Sequence, residues 1–330
     1  MKVLIIGFGS IGKRHARIAQ EALKVKSGDL YVRELMPSRI KEAEDMRMQI
    51  ETENTKVKYD IVVVAASTAS HIEILKNIPT PQKLLYIEKP LAHKYQEVAP
   101  IARQLSSKLR GKKRSLVGYM LRHHPAVKKA KELIASKKLG KVLKYRAECG
   151  MYLPNWHPWE DYRNFYMSQI DGGGGALLDI SHEIDLICYL VGGVSSVYGK
   201  YGNLSSLKCS SDDYAEFMMT HKNGAVGSVS LDLIQKNTFR KTRVIMERGE
   251  IEIDFINKKL SIATDINKIK ESSFDLGGDD LYISQYKDAL KSKKPICCSL
   301  NEGLGVMEII EAVRQSSSTG SVIHLPIYSG

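Results

Sequence analysis

Residues 1–12, MKVLIIGFGSIG, decide the fold of this chain. An apolar, partly β-branched run, Val3 to Ile6, leads straight into Gly7-x-Gly9-x-x-Gly12, and a helical pattern follows from Ile11 to Leu23. Strand, glycine turn and helix in that order are the context a dinucleotide-binding fingerprint requires, since a bare GxGxxG occurs in many turns. Gly7 allows the tight turn. Gly9 lets a pyrophosphate approach the backbone without a Cβ in the way, and Gly12 permits close helix–strand packing. The helix start offers unpaired N–H groups, at Ser10 and Ile11, to phosphate oxygens.

The next strand pattern, Leu30 to Arg33, ends on Glu34, at about the 20-residue spacing at which a carboxylate meets the ribose hydroxyls of NAD and repels a 2′-phosphate. Arg33 and Arg39 pull the other way, because a guanidinium can pair with that phosphate. The reading is NAD, with NADP as the alternative.

Working outward, a helical pattern from Ser38 to Met48 precedes Tyr59 to Ala65, a near-continuous apolar run of the kind found in a strand buried on both faces. A short helix (Ser70 to Asn77), a strand (Lys83 to Ile87), a helix (Tyr95 to Leu109) and a strand (Ser115 to Tyr119) follow. This alternation predicts an α/β Rossmann domain over residues 1–120, a doubly wound parallel sheet with its ligand at the carboxyl ends of the strands. From Leu121 the pattern changes. Helices at Pro125 to Ser136 and Ala176 to Val191 bracket a strand at Val142 to Met151. Strand patterns joined by hairpin signals such as Asn223-Gly224 come next, and the chain closes with helices at Tyr282 to Lys291 and Glu302 to Ser317. The expectation is an α+β second domain over residues 121–330 with an open, mainly antiparallel sheet.

A chain of 330 residues suits two domains, and 43% hydrophobic with 26% charged residues is an ordinary globular balance. No run of about 20 apolar residues is present, which excludes a helical membrane span. The first residues already form a strand, so no signal peptide is expected. Five cysteines (Cys149, Cys188, Cys209, Cys297 and Cys298) show no metal-ligand spacing, so no metal is expected and the chain reads as cytoplasmic. The net charge of +12 raises the question of nucleic acid, with basic clusters at Lys108 to Arg114 and Lys128 to Lys144. These lysines are scattered over helix faces and loops with no nucleic-acid-binding motif beside them, so a solvated surface that attracts an anionic cofactor is the better reading.

Two stretches carry candidate chemistry. Glu88-Lys89-Pro90 follows the Lys83 to Ile87 strand at the sheet's carboxyl edge, where a lysine faces the nicotinamide end of a cofactor and the Lys89–Pro90 bond can be cis. In Gly172-Gly-Gly-Gly-Ala-Leu-Leu-Asp179-Ile-Ser-His182-Glu-Ile-Asp185, a glycine loop opens a helix on which Asp179 and His182, three apart, share a face. A histidine oriented by a carboxylate exchanges protons near neutral pH.

Those residues resemble the Gfo/Idh/MocA oxidoreductases (glucose–fructose oxidoreductase, inositol dehydrogenase and relatives). The resemblance is carried by GFGSIGKRHAR, VVVAASTASH ending at His71, EKPLA around Lys89, GYMLRHHPAV, GGGGALLDISHEIDL and EGLGVMEIIEAVRQSSSTG, which together span nearly the whole length. A stretch GMYLPNWHPWEDYR is similar to members from bacterial surface-polysaccharide and nucleotide-sugar pathways. The resemblance implies a catalytic Lys89, with His182 as general acid/base. Members often carry an aspartate four residues before that histidine. Here that place is Leu178, and Asp179 stands at minus three. It further implies a cofactor-bordering loop of Ala66, Ser67, Thr68 and His71, joined by Glu88. Ser67 stands where many members have proline. Pairing into a homodimer or homotetramer through the open sheet is also implied.

Tyr152, Asn155, Trp156, His157, Trp159, Tyr162 and Arg163 crowd into twelve residues whose aromatic, amide and guanidinium groups suit a sugar face or a base. Arg122, His123 and His124 stand where an anionic group can dock. The sequence therefore predicts an NAD(P)-dependent oxidoreductase for a sugar or nucleotide-sugar substrate. Two alternatives are an NAD-retaining enzyme that oxidises a glycoside transiently and a non-catalytic NAD(P) sensor.

Overall fold

Every position of the first strand, β1 (Val3–Ile6), is buried, and the same holds for β4 (Ile61–Val64) and β5 (Leu84–Ile87), as continuous apolar runs covered on both faces require. The structure, a computed structural model, describes residues 1–52, 54–109, 114–156, 158–265 and 268–326. His157 and residues 110–113 of the first basic cluster lie outside the described residues.

In chain order β1 is followed by α1 (Ser10–Glu21), β2 (Leu30–Arg33), α2 (Pro37–Asp45), β3 (Gln49–Ile50), β4, α3 (His71–Lys76), β5, α4 (Tyr95–Lys108) and β6 (Arg114–Val117). The six strands form one sheet in the order β3-β2-β1-β4-β5-β6, parallel throughout. The reversal of order beside β1 places the loops after β1 and β4 next to each other, the position at which open α/β sheets hold ligands.

The second unit runs through α5 (Pro125–Ala135), β7 (Val142–Tyr152), α6 (Leu153–Trp156), α7 (Ala176–Asp179), α8 (His182–Val191) and the strands β8 (Val194–Gly202), β9 (Tyr214–His221), β10 (Val226–Asp232), β11 (Ile234–Met246), β12 (Gly249–Asp254), β13 (Lys259–Asp265) and β14 (Lys268–Ser273). Helices α9 (Asp280–Lys291) and α10 (Leu300–Thr319) and the short β15 (Ile323–His324) complete the chain. Its nine-stranded sheet has the order β14-β13-β12-β11-β7-β10-β9-β8-β15. The pairing is antiparallel except between β7 and β10, which run parallel. The expected hairpin is present: Gly224 adopts φ +86°, its N–H donates to the His221 carbonyl, and Asn223 Oδ1 accepts the Ala225 N–H. Among the described residues no helix is long and apolar enough to cross a membrane.

Two expectations need correction. The segment Gly277–Leu304 belongs with the first unit, not the second. Tyr282, Tyr286 and Ala289 of α9 join the core that holds Val3, Ile5 and Phe8, and the Arg114 guanidinium donates to the Ala289 and Ser292 carbonyls at 2.6 Å each. The single helix expected from Ala176 to Val191 is instead α7 and α8. Ile180 leaves helical geometry (φ −96°, ψ 18°), and the Ser181 hydroxyl donates to the Leu178 carbonyl at 2.7 Å. Asp179 thus ends one helix and His182 begins the next.

Candidate active site

The glycine turn of the first unit is built for close approach. Gly7 sits at φ +90°, and a Cβ there would come within 2.6 Å of the Ala66 backbone. At Gly12 a Cβ would overlap the Gly7 carbonyl oxygen. Gly9 differs, because the nearest atoms to a Cβ there belong to the Arg39 guanidinium, the first at 3.7 Å. A Cβ at Gly9 would therefore meet only the far end of the Arg39 side chain, at ordinary contact distance. Helix α1 begins immediately after it with no side-chain cap, which leaves the N–H groups of its first turn, Ser10 and Ile11 among them, for an anion.

Glu34 lies just past β2, with its side chain 8% exposed. One oxygen accepts the Phe8 N–H at 2.7 Å, and the other accepts the N–H groups of Leu35 (2.7 Å) and Met36 (3.1 Å). Burial works to raise its pKa, but those donors, with Arg39 at 3.7 Å, hold the carboxyl below its usual range. Arg33 is withdrawn from this corner by two bonds to Glu51, at 2.5 and 2.8 Å. Of the two arginines weighed against NAD, only Arg39 thus stands beside Glu34, and the arrangement fits a ribose diol. Glu34→Ala is expected to weaken NAD binding about tenfold while changing NADP affinity much less. Calorimetric titration with both dinucleotides checks this, and equal losses would remove Glu34 from the ribose role.

The loop after β4 carries Ala66 and Ser67, half-buried and exposed, with Thr68 buried beneath them. His71 is buried, and its two ring nitrogens lie 3.2 Å from the carbonyls of Ala66 and Leu91. Burial pushes its pKa down, and the neutral ring has one N–H to donate to one of these two carbonyls. Glu88 and Lys89 directly follow β5. Glu88 is buried, Lys89 is half-buried, and the Lys89–Pro90 bond is cis.

In the second unit Asp179 is buried and turns back on the glycine loop, where one oxygen accepts the Gly175 N–H at 3.1 Å. Gly175, at φ +116°, has no room for a Cβ because Asp212 Oδ1 occupies it. Asp212 accepts the Leu177 N–H at 2.8 Å on its carboxylate and the Ala176 N–H at 2.9 Å on its carbonyl, and so caps α7. Sequence reading missed this residue, which lies more than thirty positions from the helix it caps. Burial pushes the Asp212 carboxyl up to about 6, with the Leu177 N–H and Arg314 opposing and Asp179 adding to the rise. Between about pH 4 and 6 the folded chain then binds more protons than the unfolded one, so this group's contribution to stability falls as pH rises through that window. Asp212→Asn is expected to flatten the dependence by roughly 2 kcal/mol between those limits. Urea denaturation at both pH values measures it.

His182 is half-buried at the start of α8. Arg122, expected to dock an anion, is instead buried and holds Asp185 through Nε at 3.0 and 3.1 Å and Nη2 at 2.6 Å, with Tyr189 beneath its guanidinium. His124 caps α5 by accepting the Ala126 N–H on Nδ1, and burial, then Arg240, lowers its pKa to about 4. His123 is buried beside them. Both Arg122 and His124 thus serve the interior, because a cation and a ring this deeply buried need fixed partners.

The aromatic stretch is displayed at the surface of its unit. Trp156 is 47% and Trp159 78% exposed, Tyr152 lies under the Lys236 ammonium, and the Tyr162 hydroxyl accepts the Lys208 N–H at 3.2 Å. Arg163 is tied to Asp161.

Residues 1–110 match the oxidoreductase family with an NAD-binding Rossmann fold, and residues 127–252 match the GFO/IDH/MocA C-terminal domain. The chain is 23% identical over 353 aligned positions to an uncharacterized oxidoreductase, YrbE, of Bacillus subtilis, covering 97% of this chain and 95% of that one. It is 34% identical over 143 positions to levoglucosan dehydrogenase of Pseudarthrobacter phenanthrenivorans, covering 42% and 35%. Among solved structures, a levoglucosan dehydrogenase complex with NADH superposes with a TM-score of 0.84 at 21% identity over 99% of both chains. The WlbA dehydrogenase of Bordetella pertussis, in complex with NADH and UDP-GlcNAcA, superposes with a TM-score of 0.78 at 19% identity, also over 99% of both. With a dinucleotide turn at one end and a matching C-terminal domain at the other, the chain belongs to the Gfo/Idh/MocA family of NAD-binding oxidoreductases.

Proposed function

We propose that this protein moves a hydride between NAD and a hydroxyl or keto carbon of a sugar or nucleotide sugar. The observation that carries the reading is the half-buried Lys89 on the turn directly after β5, on the sheet whose glycine turn and Glu34 fit NAD. When bound, the dinucleotide supplies the hydride donor or acceptor at its nicotinamide ring. The chain's own groups handle the oxygen: the Lys89 ammonium stabilises negative charge developing on it, and His182 gives or takes the proton. Asp179 acts on the glycine loop ahead of His182.

Levoglucosan and UDP-GlcNAcA, named for two structural neighbours, define the substrate chemistry to try first. The exposed rings of Trp156 and Trp159, with Tyr152 and Tyr162, offer apolar faces to a pyranose. The exposed sheet face, where Tyr198 and Met218 stand opposite each other, is the proposed surface for pairing of copies. The test is NADH formation from NAD with levoglucosan, free hexoses, UDP-hexoses and UDP-hexuronic acids, run alongside the reverse reaction with keto sugars. Turnover of one class supports the proposal. Tight NAD binding with no turnover of any sugar in either direction overturns it.

A further inference from the structure

A chain of buried polar groups in the first unit is used by none of the chemistry above. His15, on α1 one turn after Gly12, is fully buried. Its Nε2 lies 2.8 Å from Glu88 Oε1, and its Nδ1 lies 2.8 Å from the hydroxyl of Tyr286 on α9. The other Glu88 oxygen accepts the backbone N–H of Lys89 at 3.2 Å. Gly118 makes room for that carboxylate, since a Cβ there would come within 2.9 Å of Oε2. The rings of Tyr86, Tyr282 and Tyr286 box the imidazole edge-on at 4.7, 5.7 and 5.7 Å.

The direction of each bond follows from the donors available. A carboxylate only accepts, so His15 Nε2 carries the proton toward Glu88, and in the neutral ring Nδ1 accepts from Tyr286. Burial, then the Glu88 charge, pushes the Tyr286 hydroxyl well above the ordinary phenol range, which keeps it a donor. With the ring neutral and the carboxylate ionised, each of these contacts has one polarity. Packing alone does not ask for this arrangement, because an apolar trio would fill the same box without the desolvation cost of a buried carboxylate. The chain of bonds runs from Tyr286 on α9 through His15 on α1 to Glu88, and ends on the peptide N–H of Lys89.

We propose that His15 and Tyr286 are positioning residues for Lys89, acting through the Glu88 carboxylate that holds the Lys89 backbone N–H. The proposal rests on the reading of Lys89 as the group that stabilises charge on the substrate oxygen. It adds that the lysine's placement is set from inside the dinucleotide unit.

Two readouts on the full-length protein test it. The first is hydrogen exchange of the Lys89 amide, measured by NMR and compared with the Ile5 and Val63 amides of the same sheet, and it needs no substrate. His15→Phe is expected to speed exchange at Lys89 about tenfold or more while leaving Ile5 and Val63 within about twofold. His15→Gln, which keeps a donor facing Glu88, is expected to restore it. Tyr286→Phe preserves the ring and is expected to give a smaller local rise, which serves if His15→Phe fails to fold. The second readout is turnover of whichever sugar the panel identifies, expected to fall about 10–100-fold in kcat for His15→Phe with NAD affinity and sugar KM within about threefold. Unchanged exchange at Lys89, or a rise shared equally by Ile5 and Val63, would overturn the proposal and leave His15 as a core residue. Lys89→Ala separates the two readings. If that variant turns over normally, the role of Lys89 fails and the positioning claim falls with it. If Lys89→Ala is inactive while His15→Phe keeps its kcat, only the positioning claim fails.

Discussion

Lys89→Ala is expected to lower NAD-linked turnover by about 10²–10⁴-fold, the range spanned when a positioned acid/base group is removed. Cofactor affinity is expected to stay within about threefold, because the phosphate and ribose contacts proposed here lie on Gly9, the start of α1 and Glu34. The split is what makes the experiment informative. A residue that only bound the dinucleotide would lose affinity and turnover together, whereas a group that meets the reacting oxygen leaves binding intact. Steady-state kinetics beside a calorimetric NAD titration measures both. Turnover at the wild-type rate would remove Lys89 from the chemistry.

The second large effect concerns stability. Asp185→Ala is expected to cost about 3–5 kcal/mol, because it strips the carboxylate from a guanidinium that the second unit has buried. Arg122 is 3% and Asp185 0% exposed, so neither charge has water to fall back on. The exposed pair Lys76–Glu73, at 2.9 Å on α3, is the control: in water the attraction is weak and the ordering of two flexible side chains offsets it. Urea denaturation of Asp185→Ala and Glu73→Ala distinguishes the two settings. A loss below about 1 kcal/mol for Asp185→Ala would mean that the buried pair is no more than a surface contact in disguise.

Much of the first unit is legible in the amino-acid sequence, because its signals are local. The glycine turn, the four-residue apolar runs and the carboxylate after β2 each report a backbone requirement or a period that adjacent residues express by themselves. The Asn223-Gly224 hairpin is legible for the same reason. What the sequence hides depends on partners far along the chain. The apolar stripe of α9 reads as any amphipathic helix, and only its packing in the first unit's core, with Tyr282 and Tyr286 against His15 more than 260 residues away, assigns it there. Helical spacing places Asp179 and His182 on one face, but the break at Ile180 is invisible to periodicity because isoleucine is an acceptable helix residue. Arg122 and His124 look like an anion site since cations in a row suggest one. Their partners, Asp185 and the Ala126 N–H, decide otherwise. His15 carries a signal that is easily passed over: three residues after Gly12 is one helical turn, on the face that must pack against the sheet.

Mass spectrometry of small molecules released from the denatured purified protein, followed by titration of the emptied protein with NAD and NADP, decides whether NAD is its cofactor. Either retained NAD(H) or reversible binding of NAD tighter than that of NADP is expected, with the preference reduced in Glu34→Ala. A protein that retains neither dinucleotide and binds neither on titration would contradict this.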